Sequence, residues 1–310
     1  MNRPLRSVLI GDVDYYASEY AFGVNQSLTM AGHAHTTVNI RQDIGTIEKR
    51  VREMDPDIIW GHMLLWAPGG GASSNKTYDL LDLCERWRVK RGTKVFLHDG
   101  DARVDTRYPV DISDAVDLAL CNHTADRSAW KIPQLHWPYF AFYQREIAGS
   151  VPEFTCDLAF AGRLDGGPLY QARTELVYGL KNKLGSRMKV FPGGDQHTLF
   201  RTPELAASAA AVLGFGRPER NGWLDVRVFQ YPGAGGVLLH DDVGGLLEPG
   251  AHYYQYRSGS VDSVLAGLEW ILRCPDEARK IREEGFAYVQ EYHSSRARVE
   301  QALAAVGLVL

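Results

Sequence analysis

Short apolar runs of strand length alternate along this chain with longer stretches of helical spacing, and the alternation stops near residue 150 and then starts again. The runs Ser7–Ile10, Ile58–Trp60 and Lys94–His98 are too short for helices, and they read as strands buried on both faces. Between them, Ser18–Ala31, Ile44–Met54 and Thr77–Lys90 read as helices, the last through the spacing of Leu80, Leu81, Cys84 and Trp87. His35–Ile40 and Asp117–Cys121 supply further strands. Alternation of this kind predicts a parallel sheet with helices on both faces and right-handed crossovers.

The segment from Lys131 to Ile147, rich in Pro, Trp, Tyr and Phe, breaks the rhythm, and residues 148 to 155 read as a linker. The pattern restarts with a strand at Cys156–Ala161, a helix at Tyr170–Leu184, a strand at Met188–Phe191, a helix at Pro203–Ala210 and a strand at Ala211–Phe215. A helix at Asp225–Tyr231, a strand at Gly236–Asp241, and helices over Val261–Cys274 and Asp276–Leu303 complete it. The expected fold is α/β, with two Rossmann-like doubly wound domains facing a central cleft. The divisions fall at 1–150, 151–285 and 286–310, the last a terminal helix that packs back on the first domain. Ligands of open parallel sheets bind outside the carboxyl ends of the strands, so those ends are where site residues are sought.

Composition narrows the function. The 310 residues are 45% hydrophobic with a formal charge of −4, and each half carries 17 basic and 19 acidic residues, so neither half is built to neutralise a long phosphate backbone. The four cysteines, at 84, 121, 156 and 274, are far apart and free of zinc-like spacing. Only Val8-Leu9-Ile10 stands between the polar start and Gly11, too short for a signal peptide, and no apolar run approaches the roughly 18 residues of a membrane span. A cytoplasmic protein without a membrane span is expected.

A dinucleotide fingerprint, a phosphate loop of the G-x-x-x-x-G-K-[ST] type and a G-x-S-x-G elbow are all missing from the sequence. The most informative stretch is Arg227-Val-Phe-Gln230-Tyr-Pro-Gly233-Ala-Gly235-Gly236-Val-Leu-Leu-His240-Asp241, continuing through Gly244-Gly245 to Gly250. It resembles the signature of GT-B glycosyltransferases of the group 1 type, most closely their spore-protein-like (CgeB-like) branch. Asp157-Leu-Ala-Phe-Ala-Gly162-Arg163, His98-Asp99-Gly100-Asp101 and His293-Ser-Ser-Arg296-Ala-Arg298 extend the resemblance. It implies a hexosyltransferase that takes a nucleotide-diphosphate sugar, a UDP-sugar first, and needs neither cofactor nor metal.

Chemistry is consistent with that implication. A diphosphate wants backbone N–H groups brought close by glycines, and Gly233, Gly235, Gly236, Gly244 and Gly245 are the expected cradle. Arg163, after a strand end, is expected to neutralise the leaving diphosphate, with Arg227 second. Retaining members of the group carry two glutamates eight positions apart; here those positions hold Gly222 and Gln230, and the Gln230 amide is expected to hydrogen-bond the donor without a carboxylate's charge.

The first domain is expected to hold the acceptor and the general base, with Asp99 first and His98 second; Asp12, Asp14, His62 and Asp101 are further candidates on the acceptor side. Pro68-Gly69-Gly70-Gly71 with Ser73 and Ser74 reads as a lid. Asp12-Val-Asp14 and Asp99-Gly-Asp101 match the D-x-D metal motif of single-domain transferases, but the restart of the strand and helix pattern favours GT-B without a metal. His33-Ala-His35 also has the look of a ligand pair. The aromatic cluster Trp130, Trp137, Tyr139, Phe140, Phe142 and Tyr143 serves packing or sugar stacking. The basic run Arg86–Lys94 is a solvated face or a contact for a phosphate backbone, relevant because phage enzymes that glucosylate hydroxymethylated DNA bases share the fold. The acceptor is then a small molecule, a protein or modified DNA. Alternatives are a sugar-nucleotide epimerase of the same fold and a nucleotide-sugar-binding protein without turnover.

Overall fold

A computed structural model describes residues 3–11, 17–62, 75–99, 112–122, 130–164, 168–192, 201–216 and 225–310. The chain forms two compact units. Unit 1 holds the described residues up to Pro138 together with Arg298–Leu310, and unit 2 holds those from Tyr139 to Ala297.

Unit 1 is built on β1 (Arg6–Gly11), α1 (Ala17–Met30), β2 (Ala34–Asn39), α2 (Ile44–Met54), β3 (Ile58–His62), α3 (Asn75–Arg91), β4 (Lys94–Asp99), β5 (Leu118–Cys121) and β6 (Gln134–His136). The six strands form one sheet in the order β2-β1-β3-β4-β5-β6, and every pairing is parallel. Strand β6 is unforeseen: it lies inside the aromatic segment, where Pro133 and only three residues of strand hide the pattern. One face packs Val8, Ile10, Ile59, Val95 and Leu97 against Ile47 and Val51 of α2 and Leu80, Leu83 and Cys84 of α3. Alternation turns Trp60, His62, Phe96 and His98 to the other face, where Tyr20 of α1 and Trp137 lie. Trp137 is wholly buried, and its Nε1–H donates to the Arg298 carbonyl at 2.8 Å, so burial leaves no orphaned indole donor there.

Unit 2 contains β7 (Cys156–Gly162), α4 (Pro168–Leu184), β8 (Met188–Pro192), α5 (Thr202–Ser208), β9 (Ala209–Leu213), α6 (Arg227–Gly233), β10 (Leu238–His240), β11 (Tyr254–Gln255), α7 (Val261–Arg273) and α8 (Pro275–Tyr292), while α9 (Ser295–Ala304) begins in unit 2 and passes into unit 1 at Arg298. Its parallel sheet runs β11-β10-β9-β7-β8. Ala159, Ala161, Val212 and Leu238 face α5 and α6, while Leu158, Phe160, Ala211 and Leu239 face α4, α7 and α8. The expected helix over Asp276–Leu303 is two helices, parted at His293 and Ser294, where the Ser295 N–H leaves the helical ladder and donates to the Ala141 carbonyl at 2.7 Å. Among the described residues, no helix is long and apolar enough to cross a membrane.

The change of unit falls at Pro138 and Tyr139, earlier than the expected linker, because the chain beyond is already fastened to unit 2. The Ala141 N–H donates to the His293 carbonyl, the Gln144 N–H to Gln290 Oε1, and the Ala148 N–H to the Ala234 carbonyl. Ile147 lies over Gly235, where a Cβ would sit 2.4 Å from its Cγ2, and Gly235 holds φ at +84°. Gly235→Ala is therefore expected to lower unfolding stability by about 1–3 kcal/mol through clash and backbone strain together, read by denaturant titration.

His35 reports on unit 1. Its Nδ1 lies 2.5 Å from Ser7 Oγ on the neighbouring strand, and burial holds its pKa down from 6.5 to about 4. The unfolded chain takes up a proton near 6.5 that the folded ring refuses until about 4. Stability is thus expected to fall as pH drops through that window, and His35→Gln to flatten the fall in thermal melts taken across it.

Candidate functional site

In unit 2 the carboxyl end of the sheet collects charged side chains. Asp225 stands just before α6, and its carboxylate is shared by two arginines. Arg227 Nη1 pairs with Asp225 Oδ2, the Arg227 N–H donates to Oδ1 at 3.0 Å, and Arg173 Nη2 of α4 lies 3.7 Å from Oδ2. Arg173 and Asp225 are almost wholly buried. Burial alone would raise the Asp225 pKa, but Arg227 and then Arg173 outweigh it and hold the carboxyl below its ordinary value. The three groups together carry one net positive charge.

Local geometry makes room for this triad. Arg227 Nε donates to the Ala161 carbonyl near the end of β7, and a Cβ at Gly162 would lie 2.8 Å from Arg227 Nη2, so the strand must end in glycine there. Arg173 reaches back to the Arg163 carbonyl at 3.4 Å and passes over the rings of Tyr170 and Phe215. Arg163 itself follows β7 directly and is half-buried.

The end of β10 carries a second polar cluster. His240 is wholly buried, with Nδ1 2.9 Å from Asp241 Oδ1. Asp241 also accepts from the Gly216 N–H at 2.7 Å, the Asp242 N–H at 3.0 Å and Ser258 Oγ at 2.9 Å. Burial pushes the Asp241 pKa up, but His240 and these donors win and hold it at about 2. One carboxylate thus joins the exits of β9 and β10 to the segment after β11. Gln230, 3% exposed, points a buried Nε2 that finds no hydrogen-bond partner among the described residues. An amide donor so placed is one that a bound polar group could satisfy.

The glycines of the expected cradle differ in their surroundings. Gly233 closes α6, and a Cβ there would lie 2.3 Å from that of Ala141. The Gly235 and Gly236 N–H groups already donate to the Pro232 and Tyr231 carbonyls, and a Cβ at Gly236 would press on Ala206. These three glycines serve close packing. Gly244 and Gly245 differ: both are exposed, both have positive φ, and both have open space around them. The Gly244 N–H donates to Asp242 Oδ1 at 2.9 Å. Sequence reasoning missed Arg173, Asp225, His240, Asp241 and Ser258. His240-Asp241 repeats at a strand end of unit 2 the His98-Asp99 pattern that singled out a strand end of unit 1.

In unit 1, His62 and His98 end neighbouring strands as direct register partners, with Nδ1 to Nδ1 at 2.8 Å. Tyr20 stacks on both rings. Asp99 is buried next to His98, but strand alternation turns it to the face of Val95 and Leu97, away from the histidine pair. Asp12, Asp14 and Asp101, with residues 68 to 74, lie outside the described residues. His33 Nδ1 accepts from the Leu5 N–H and His35 meets Ser7, so these two rings serve the strands and not a ligand. Among the described residues there is no group of three or more side chains suited to a metal ion. Of the aromatic cluster, Trp130, Trp137, Phe140 and Phe142 are buried in packing. The basic run ends α3 and begins β4, so it lies at the amino ends of the strands, opposite His62 and His98. Its arginines are paired with acids: Arg86 with Asp82 and Glu48, Arg88 with Asp117, and Arg91 with Asp55.

Comparison with known proteins follows from this geometry. Residues 176–304, less than half of the chain, match the family model described as glycosyl transferase-like. No curated protein matches the sequence. Among solved structures, an α-glucosyltransferase in complex with UDP and a 13-mer DNA is similar at a TM-score of 0.66 and 9% identity, covering 97% of this chain and 99% of that one. HepE of Anabaena in complex with UDP and glucose is similar at 0.57 and 12%, covering 97% and 99%. A UDP-forming α,α-trehalose-phosphate synthase from Burkholderia xenovorans is similar at 0.61 and 12%, covering 98% and 99%. At such identities the likeness establishes the fold: an α/β architecture of two parallel sheets, that of the GT-B glycosyltransferases.

Proposed function

We propose that the chain is a glycosyltransferase that moves a hexose from a UDP-sugar to an acceptor hydroxyl, without a metal, in the cytoplasm. Within the group 1 type, the stretch Arg227–Gly250 favours the CgeB-like branch. Unit 2 takes the donor and unit 1 the acceptor. The observation that carries this reading is the Arg173–Asp225–Arg227 triad at the carboxyl end of the unit 2 sheet. It fixes guanidinium groups where a parallel sheet binds its ligand, and their net charge suits a diphosphate.

In the reaction the acceptor oxygen bonds to the anomeric carbon of the sugar while that carbon's bond to the diphosphate oxygen breaks. The electron pair leaves on UDP, and the acceptor proton passes to His98 or Asp99. Arg163 and Arg227 meet the charge that builds on the leaving group, and Gly244 and Gly245 let the backbone approach it. The Gln230 amide donates to the donor's hydroxyls. Acceptor classes that suit the reading are small molecules, proteins and hydroxymethylated bases of DNA. The two similar structures that hold UDP support the choice of nucleotide.

Calorimetry with UDP is expected to show binding that weakens at least about tenfold in Arg227→Ala, with no recovery in Arg227→Lys because a single ammonium cannot reproduce the fork. Absence of UDP binding by the unaltered chain would remove the reading. A panel of labelled nucleotide sugars, offered with small-molecule, protein and modified-DNA acceptors, is expected to yield a labelled acceptor. In that assay Arg163→Ala should lower turnover at least about tenfold while the fold survives. Donor consumed equally with no acceptor present would favour an epimerase instead.

A further inference from the structure

The His62 and His98 rings have centroids 4.9 Å apart at 20° and Nδ1 atoms 2.8 Å apart, the geometry of two imidazoles side by side in nearly one plane. Tyr20 lies flat across both, at 4.9 Å and 19° from His62 and 4.4 Å and 9° from His98, and Trp137 meets His98 edge-on. Both histidines are 3% exposed or less. A neutral imidazole has one N–H, so an Nδ1 to Nδ1 bond allows one proton on the shared line. The rings must then be opposite tautomers: the donor has a bare Nε2, and the acceptor carries its proton on Nε2. One further proton leaves that bond intact, whereas a second would set two N–H groups head to head, so the pair reaches a charge of one and not two.

We propose that His62 and His98 act as one proton-sharing unit, in which His62 is a positioning residue that fixes the tautomer and proton affinity of His98. The proposal rests on the reading of unit 1 as the acceptor side. His98 donates its Nδ1–H to His62, which leaves His98 Nε2 bare to take the acceptor proton as the oxygen bonds to the sugar and UDP departs. The imidazolium formed keeps its hydrogen bond to His62 and lies against the π face of Tyr20. The elements packed there carry Glu19 and Tyr20 on α1, Lys94 and Asp99 on β4, and Arg296, Arg298 and Glu300 on α9. Burial keeps Tyr20 protonated. The alternation of β4 turns Asp99 to the face opposite His98.

Long-range 1H–15N correlation on the full chain with 15N-labelled histidine tests this without any substrate. The expected result is His98 protonated at Nδ1, His62 at Nε2, and a single coupled step on acidification. The same tautomer in both rings, the reverse assignment, or two independent steps would overturn the proposal. His62→Phe keeps a ring beneath Tyr20 but removes the shared nitrogen. It is expected to shift the acid limb of the transfer rate by about one pH unit and to lower kcat at least about tenfold with KM for the donor unchanged. His62→Gln, whose carbonyl can accept the Nδ1–H, should recover part of that loss. An unchanged pH profile in His62→Phe would also overturn it. A chain that fails to bind UDP, yet shows opposite tautomers, would remove the glycosyltransferase reading and leave the pair standing.

Discussion

Two arginines share one carboxylate inside unit 2, and the carboxyl end of its sheet is organised around that ion triad. A guanidinium withdrawn from water costs several kcal/mol unless a partner offsets it. Asp225 provides that partner to Arg173 and Arg227 at once, from a position between the end of the sheet and the start of α6. The arrangement fixes α4, β7 and α6 to one another, because Arg227 also holds the Ala161 carbonyl and Arg173 the Arg163 carbonyl. Gly162 is a consequence: any side chain there would collide with the Arg227 guanidinium. Asp241 plays a parallel part around β10, gathering His240, Gly216 and Ser258 on one carboxylate. The rigid scaffold therefore ends in two pinned carboxylates, each held ionised by its neighbours.

Unit 1 uses the same topology for a different end. Its strand termini carry two paired imidazoles stacked on Tyr20 instead of a guanidinium cluster, a chemistry suited to handling a proton and not an anion. That contrast between the two sheets underlies the proposal that one takes the nucleotide and the other the acceptor.

Much of this architecture was legible because it follows from periodicity. Ile44–Met54 is a helix with the expected limits, since its apolar spacing and the Asp55-Pro56 stop coincide. The strands β1, β3, β4 and β7 are short, largely buried runs that a two-sided sheet accommodates. Strands β6 and β11 were not legible: they have three and two residues, and pairing with a neighbour alone defines them. The site was less legible still. Gly233, Gly235 and Gly236 show why, because the absence of a Cβ serves a close packing contact as well as an approach to phosphate, and sequence does not distinguish the two. Arg173 sits within a helix, where arginine is ordinarily a solvated residue, and only its burial against Asp225 reveals it. The sequence marks Arg227 as a candidate by its place in the glycine-rich stretch, and His62 and His98 by their places at strand ends.

The central claim is that unit 2 binds an activated sugar by its diphosphate at the triad. A crystal structure of the chain soaked with UDP tests it most directly. The account predicts diphosphate oxygens within hydrogen-bond distance of the Arg163 or Arg227 side chain, with the ribose near Gln230. UDP bound elsewhere on the molecule, or no UDP at saturating concentration, would contradict it.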